Sequence, residues 1–454
     1  MRGRAGTSAW ARWRSVAARC AVIVLLGLCA ALVPPAAAPA AADPSPGAYG
    51  FSPGGRTVAG TQGTADAAPL EAGRTYRSSL PRGGKLYYRL RLAAADTAYV
   101  PVTAVPPADA TVSATDGIRV SLRDADGTSC AYASAQFGAG HSPRPVTALG
   151  LREAGRTLCQ GAGTYYLLVE RLDADGTGAA DPAARWDLEI APATEPRPAR
   201  TGPTTAPRTW DSATPAPLAG RPRERSGGTG FAAARPLGQG IWRTALVPGE
   251  TRFYKVPLDW GRQLHASADL GGAPGRGYVG GALDLSLYNP VRGDVDDVSL
   301  GYTGTAKSAA LAPLPPVEYA NRYAPTAGVT SVRFAGDYYL VLHLSSQLAG
   351  IFGQGPFQVT LRVRVDGQAH AGPEYAGRPV PDDVFTVTAR DRAAAVTGTA
   401  GTTGAGDDRT MKLVAVAGIG SGTALLLLLA GWTAASRRTS ARAQMRARAQ
   451  KPTA

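Results

Sequence analysis

The two halves of this 454-residue chain carry the same series of short blocks in the same order, and that repetition restricts the fold more than any other feature. Pro69-Leu70-Glu71-Ala72-Gly73 leads to Tyr76, as Pro236-Leu237-Gly238-Gln239-Gly240 leads to Trp242. Leu80-Pro81-Arg82-Gly83-Gly84 precedes Tyr87-Tyr88-Arg89-Leu90, and Val247-Pro248-Gly249-Glu250 precedes Phe253-Tyr254-Lys255-Val256. Ile118–Leu122 answers Leu283–Leu287, and Gly163-Thr164-Tyr165-Tyr166-Leu167-Leu168-Val169 answers Gly336-Asp337-Tyr338-Tyr339-Leu340-Val341-Leu342. Self-similarity at this spacing marks a duplicated structural unit, and each copy has the length of one ordinary domain.

Each block has the two-residue period of a strand with one wet face. Tyr87, Arg89 and Arg91 share one side of their segment, opposite Tyr88, Leu90 and Leu92. Ile118, Val120 and Leu122 alternate with Arg119, Ser121 and Arg123, and Phe357–Val365 alternates in the same way. Asp126-Gly127, Asp175-Gly176 and Asp366-Gly367 mark turns. Residues 43–411 contain no long stretch with helical amphipathic spacing. The expectation is an all-β body of two tandem, jelly-roll-like β-sandwiches over 63–192 and 229–390.

This order of blocks resembles the bacterial pre-peptidase C-terminal type of β-sandwich: a Pro-Gly turn, an aromatic-Tyr-basic-apolar strand, an apolar strand ending in Asp-x-Asp-Gly, then Gly-x-Tyr-Tyr-Leu. Phe253-Tyr254-Lys255-Val256-Pro257-Leu258-Asp259-Trp260-Gly261 also resembles a segment found beside von Willebrand A domains in actinobacterial exported proteins. The resemblance implies a fold and an accessory role, with a von Willebrand A-type exported protein as partner. The chain carries neither a protease domain nor the Asp-x-Ser-x-Ser metal signature. Fold alone does not license function.

The ends predict topology. Arg2, Arg4, Arg12, Arg14 and Arg19 precede an apolar run over 21–33 and small residues at Ala40 and Ala42, the layout of a cleaved secretory signal over 1–42. Residues 412–435 are long and apolar enough for one membrane-spanning helix. Arg437, Arg438, Arg442, Arg446, Arg448 and Lys451 follow in a basic tail over 436–454, which the positive-inside rule puts in the cytoplasm. The expected protein is a single-pass type I protein of the plasma membrane, its N-terminus outside and its C-terminus cytoplasmic. Residues 43–62 form a Pro/Gly-rich leader, 193–228 a Pro-rich linker and 391–411 a stalk.

Those ends also explain the charge. Five arginines in the signal, six basic residues in the tail and Lys412 account for twelve of the net +14, so residues 43–411 carry +2. A nucleic-acid protein concentrates basic charge on its folded domain, and this one does not; no nucleic-acid partner is expected. Cys130 and Cys159 are an even pair in an exported segment, and a disulfide is the expectation.

Candidate chemistry is sparse. His141, His265, His343 and His370 fall in no zinc-ligand spacing, and no Gly-x-Ser-x-Gly elbow occurs. Strand parity places His343 opposite Leu342 and Leu344, so it is expected as an outward surface residue. Asp124-x-Asp126-Gly127 and Asp173-x-Asp175-Gly176 resemble the opening of calcium loops, and Asp294 and Asp296, with Asp297, form a third acidic loop. Asp-Gly is equally the chemistry of a hairpin turn, so calcium is a candidate ligand and no cofactor is required. Arg292-Gly293-Asp294 spells an integrin-type tripeptide that an Arg- and Gly-rich chain yields by chance. One of Tyr165 and Tyr166, and one of Tyr338 and Tyr339, points outward and is a candidate for stacking on a sugar or a partner. The expectation is a non-enzymatic surface protein binding an extracellular protein or cell-wall glycan. A carbohydrate-binding module and a cryptic hydrolase are the alternatives.

Overall fold

The computed structural model describes residues 48–173 and 184–398. The expected signal over 1–42, membrane span over 412–435 and basic tail over 436–454 lie outside them. No helix among the described residues is long and apolar enough to cross a membrane.

The first half supplies β1 (Arg56–Thr57), β2 (Ala68–Pro69), β3 (Tyr76–Leu80), β4 (Lys85–Leu92), β5 (Thr97–Val105) and β6 (Gly117–Arg123). It continues with β7 (Ser129–Gln136), β8 (Val146–Arg152), β9 (Gly163–Leu172), β10 (Trp186–Ile190) and β11 (Ala193–Glu195). The second half supplies β12 (Arg223–Glu224), β13 (Arg235–Pro236), β14 (Gly240–Leu246), β15 (Thr251–Leu258) and β16 (Arg262–Leu270). After these come β17 (Val279–Tyr288), β18 (Asp294–Tyr302), β19 (Lys307–Ala310), β20 (Gly336–Leu344) and β21 (Phe357–Gly367). Three short helices are α1 (Ala327–Ser331), α2 (Leu348–Phe352) and α3 (Ala389–Thr397).

The repetition is topological. In the first module, sheet 1 runs β1-β3-β10-β5 with β8 beyond β5, and sheet 2 runs β2-β4-β9-β6-β7. In the second, sheet 3 runs β12-β14-β21-β16-β19 and sheet 4 runs β13-β15-β20-β17-β18. Each edge strand β1, β2, β12 and β13 is parallel to its neighbour. The remaining pairs are antiparallel, and β11 continues the line of β10 along β5. The alternating residues behave as their period requires. Leu86, Tyr88, Leu90 and Leu92 of β4 meet Val100 and Val102 of β5 in one core, and Leu340 and Leu342 of β20 meet Val359 and Leu361 of β21 in the other. Each module is thus two sheets closed over an apolar core.

The modules stack on each other. On sheet 1 the face turned away from its own core presents Tyr99, Leu149 and Leu151; on sheet 4 the corresponding face presents Phe253, Tyr339 and Val341. Tyr99 of the first module meets Phe334 of the second edge-on at 5.3 Å. Three carboxylates of the first module, Glu189 and Glu195 buried and Glu153 half-buried, receive arginines of the second: Glu189 takes Arg292 at 2.5 Å, Glu195 takes Arg322 at 2.7 Å, and Glu153 takes Arg333 at 2.8 Å. Backbones touch where Gly140 faces Gly281: a Cβ on Gly281 would lie 2.6 Å from the Gly140 nitrogen. A bulkier residue at either position would force the modules apart.

Three connecting segments close the seam. In the leader, Tyr49 donates to Glu189 at 3.1 Å and packs on Phe253. Residues 193–228, expected as a semi-extended linker, begin in β11 and end in β12. Between these strands the segment is tied to sheet 3, where Gln263 donates to the Asp211 carbonyl and Arg364 to that of Ala216. Beyond β21 the chain returns to the first module. Val380 bridges Thr194, Tyr375 donates to Glu195 at 3.0 Å, and Phe385 stacks on Phe334 at 4.8 Å. Residues 391–397, expected as stalk, lie in α3, which opens with a Thr388–Asp391 capping box and is held by Arg392 to Asp259.

Candidate functional site

Stacking uses one face of each module and leaves the outer face of sheet 2 open. That face is built on β4, β9, β6 and β7, and its cross-strand rows follow from register. One row reads Tyr87–Leu168–Ser121–Tyr132. On one side lies Lys85–Glu170–Arg119–Ser134, and on the other Arg89–Tyr166–Arg123. Arg91, opposite Thr164, continues the basic edge along β4. Leu168 and Ser121 form a buried floor, Tyr87 and Tyr166 are half-buried, and Tyr132 stands 71% exposed. The Arg119 guanidinium lies over the Tyr132 ring at 6.0 Å. Lys85 pairs with Glu170 at 3.0 Å. Arg89, Arg91, Arg119 and Arg123 have no carboxylate within ion-pair distance among the described residues.

The four candidate tyrosines separate by parity. Tyr165 is buried and donates to the carbonyls of Cys159 and Gly161, while Tyr166 lies on the open face between Arg89 and Arg123. Tyr338 is buried and donates to Phe334 O at 2.9 Å. Tyr339 faces outward from sheet 4 into the seam, where Phe231 covers it. Both of these outward tyrosines are half-buried, but Tyr166 lies on the open face and Tyr339 lies against Phe231 at the seam. Tyr132 was not singled out by pattern, because its strand Ser129–Gln136 is short of large apolar residues. The signal available was the alternation of Tyr132, Ser134 and Gln136 with small alanines.

The acidic candidates do not converge. Asp124 Oδ1 accepts from the backbone of Asp126 and Thr128, and Gly127 takes φ +84° in the β6–β7 turn. Asp173, at the other end of the sheet, accepts from Gly83 N and Arg171 Nε. Asp175 lies outside the described residues. Asp294 and Asp296 sit on β18, and Asp296 accepts from Ala312 N at 2.7 Å. Burial, then Asp297 and Asp296, push the Asp294 carboxyl up to about 6. The residue keeps solvent contact, so this repulsion is screened and contributes little to stability. No group of three or more metal-ligating side chains is assembled among the described residues. Arg292 of the tripeptide is half-buried and paired with the buried Glu189, so it is a seam residue rather than an adhesive one.

His343 corrects the expectation of an outward surface histidine. Its parity is as expected, but the outer face of sheet 4 is covered by the first module, and His343 is buried. Nε2 meets Ser142 Oγ at 2.8 Å and Nδ1 meets Thr251 Oγ1 at 2.9 Å. Burial, then the Arg144 charge, holds the imidazole well below its ordinary value. Ser142 also accepts from Ser346 N, so the Ser–His contact belongs to the seam and faces no open pocket.

The unfolded imidazole takes a proton as pH falls through about 6.5 while the buried one stays neutral, so stability should fall on acidification by up to about 1.4 kcal/mol per pH unit. Asp294, raised in the folded state, and Asp284 near Arg144, also raised by burial, act in the opposite sense. Denaturant titrations of wild type and His343→Gln between pH 7.5 and 5.5 isolate the histidine. The variant should lack the acid-side loss, and identical slopes would show that His343 does not carry it.

Fold and site together define a tandem, stacked β-sandwich with one open arginine–tyrosine sheet face. No family model matches the chain, and no curated protein matches it. Solved structures include the CUB1-EGF-CUB2 domain of human MASP-1/3, at 8% identity and TM-score 0.18, covering 64% of this chain and 99% of that one. The N-terminal CBM22-1-CBM22-2 tandem domain of Paenibacillus barcinonensis Xyn10C is similar at 12% identity and TM-score 0.17, covering 67% and 100%. At these values the likenesses carry no argument about function.

Proposed function

We propose that the chain is a non-enzymatic binding protein displayed outside the plasma membrane. In this reading, two jelly-roll-like modules of pre-peptidase C-terminal type follow a cleaved signal, and a single C-terminal span with a basic cytoplasmic tail anchors them. The observation that carries the reading is the unequal use of one repeated sheet: its outer face is covered in the second module and open in the first. The second module acts as a rigid base, held by the three arginine–glutamate pairs, and the first presents the ligand face. Aromatic side chains among the basic rows favour a cell-wall glycan over a protein as the extracellular partner.

Labelling intact producing cells with a membrane-impermeant amine reagent tests the display. Lys307, exposed on β19 at the edge of sheet 3 and away from the open face of sheet 2, should react without lysis, and Lys451 should react only after it. Protection of Lys307 in intact cells would overturn the reading.

A further inference from the structure

We propose that the open face of sheet 2 binds an extended anionic polysaccharide, whose charges meet the two basic rows and whose sugar rings lie against the tyrosines between them. This deepens the proposed function and rests on it. Neighbouring strands lie about 4.8 Å apart, so Tyr87 and Tyr132, three strands apart, end a row about 14 Å long, with basic rows about 7 Å to either side. Leu168 and Ser121 between them are buried, so the contact surface is made by the tyrosines and the long basic side chains around them.

Charge selects the class of ligand. Lys85, Arg89, Arg91, Arg119 and Arg123 share the face with Glu170 as its acid. Glu71 is drawn to Arg74 beside it, and Asp124 turns its carboxylate to its own backbone. The Arg119–Tyr132 contact holds a cation and a ring side by side at the open edge.

Other occupants fit less well. A membrane surface needs protruding apolar side chains, and this face has none beyond tyrosine. Protein interfaces carry a broad apolar core, whereas here the uncharged row is one side chain wide and is bordered on both sides by exposed arginines. A nucleic acid calls for a strongly basic domain, and residues 43–411 carry only +2. A polysaccharide bearing sparse carboxylates or phosphodiesters suits sparse guanidiniums interleaved with rings.

The test uses the full-length chain in nanodiscs of neutral lipid, titrated with polygalacturonate, neutral dextran and single-stranded DNA of matched length. Polygalacturonate should bind, and its affinity should fall at least about tenfold between roughly 50 and 500 mM salt, as screening of exposed charges requires. Arg89→Gln with Arg119→Gln should weaken it by about tenfold or more, and Tyr132→Ala by about fivefold, with unchanged unfolding midpoints. Equal binding of dextran, tighter binding of DNA, or undiminished binding by these variants would overturn the proposal. A chain labelled at Lys307 on intact cells that fails to bind polygalacturonate would sink this inference alone. Protection of Lys307 would sink the surface reading whatever polymer binds.

Discussion

Replacing Glu195 with alanine should cost about 3–5 kcal/mol, because it strips a buried arginine of its counter-charge. The carboxylate is 1% exposed and accepts from Arg322, Tyr99 and Tyr375, which belong respectively to the second module, the first module and the returning C-terminal segment. Its loss leaves Arg322 buried and three donors without their acceptor. Denaturant unfolding followed by intrinsic fluorescence should change from one transition to two as the modules uncouple. Adding Arg322→Met should recover much of the loss, since an apolar replacement of a whole buried pair is often neutral. A single transition at the wild-type midpoint in Glu195→Ala would show that the seam does not depend on this pair.

Removing the disulfide should have an effect of similar size but confined to the first module. Cys130 and Cys159 are bonded, with Cα atoms 5.6 Å apart and a sequence separation of 29. Opening that loop should cost about 3.5 kcal/mol on the chain-entropy estimate. The bond ties β7 to the loop before β9, where Arg152, itself buried, donates to the carbonyls of Cys159, Gln160 and Gly161. Cys130→Ser with Cys159→Ser should split the single transition, the first module unfolding below the second, which stays near the wild-type midpoint. Calorimetry of the double variant checks this, and one unsplit transition at a lower midpoint would show that the bond stabilises the seam instead.

Much of each module was legible from pattern. The blocks Tyr87–Leu92, Ile118–Leu122 and Gly163–Val169 all fall in strands, as do their counterparts in the second half. Alternation also told that Arg89 and Arg119 leave the core of one module and His343 that of the other, and that one tyrosine of each pair does; which tyrosine it is came from the structure. It did not tell which outward residues stay wet. Parity is a property of one strand and its own sheet, whereas cover comes from another body. Tyr166 stays on an open face, whereas His343, outward from sheet 4 by the same rule, is buried against Ser142 of the first module.

The buried ion pairs were illegible for a related reason. Glu189 and Arg292 are separated by 103 residues, and both sit at polar positions of alternating or turn-rich segments, where a charged side chain ordinarily signals solvent. The linker was misread because its Pro- and Arg-rich composition resembles a free connector, while its hydrogen bonds run to sheet 3. Composition reports how little a segment buries by itself, not whether a neighbouring sheet offers it partners.

Local chemistry thus determined the strands, their two faces, the duplication and the cysteine pair, because hydrophobic period and spacing are written residue by residue. Stacking of the modules alone decided which of two equivalent faces is a seam and which is a surface. That choice rests on a few long-range contacts, among them arginine to glutamate, Gly140 against Gly281 and Tyr49 against Phe253, that no local pattern encodes.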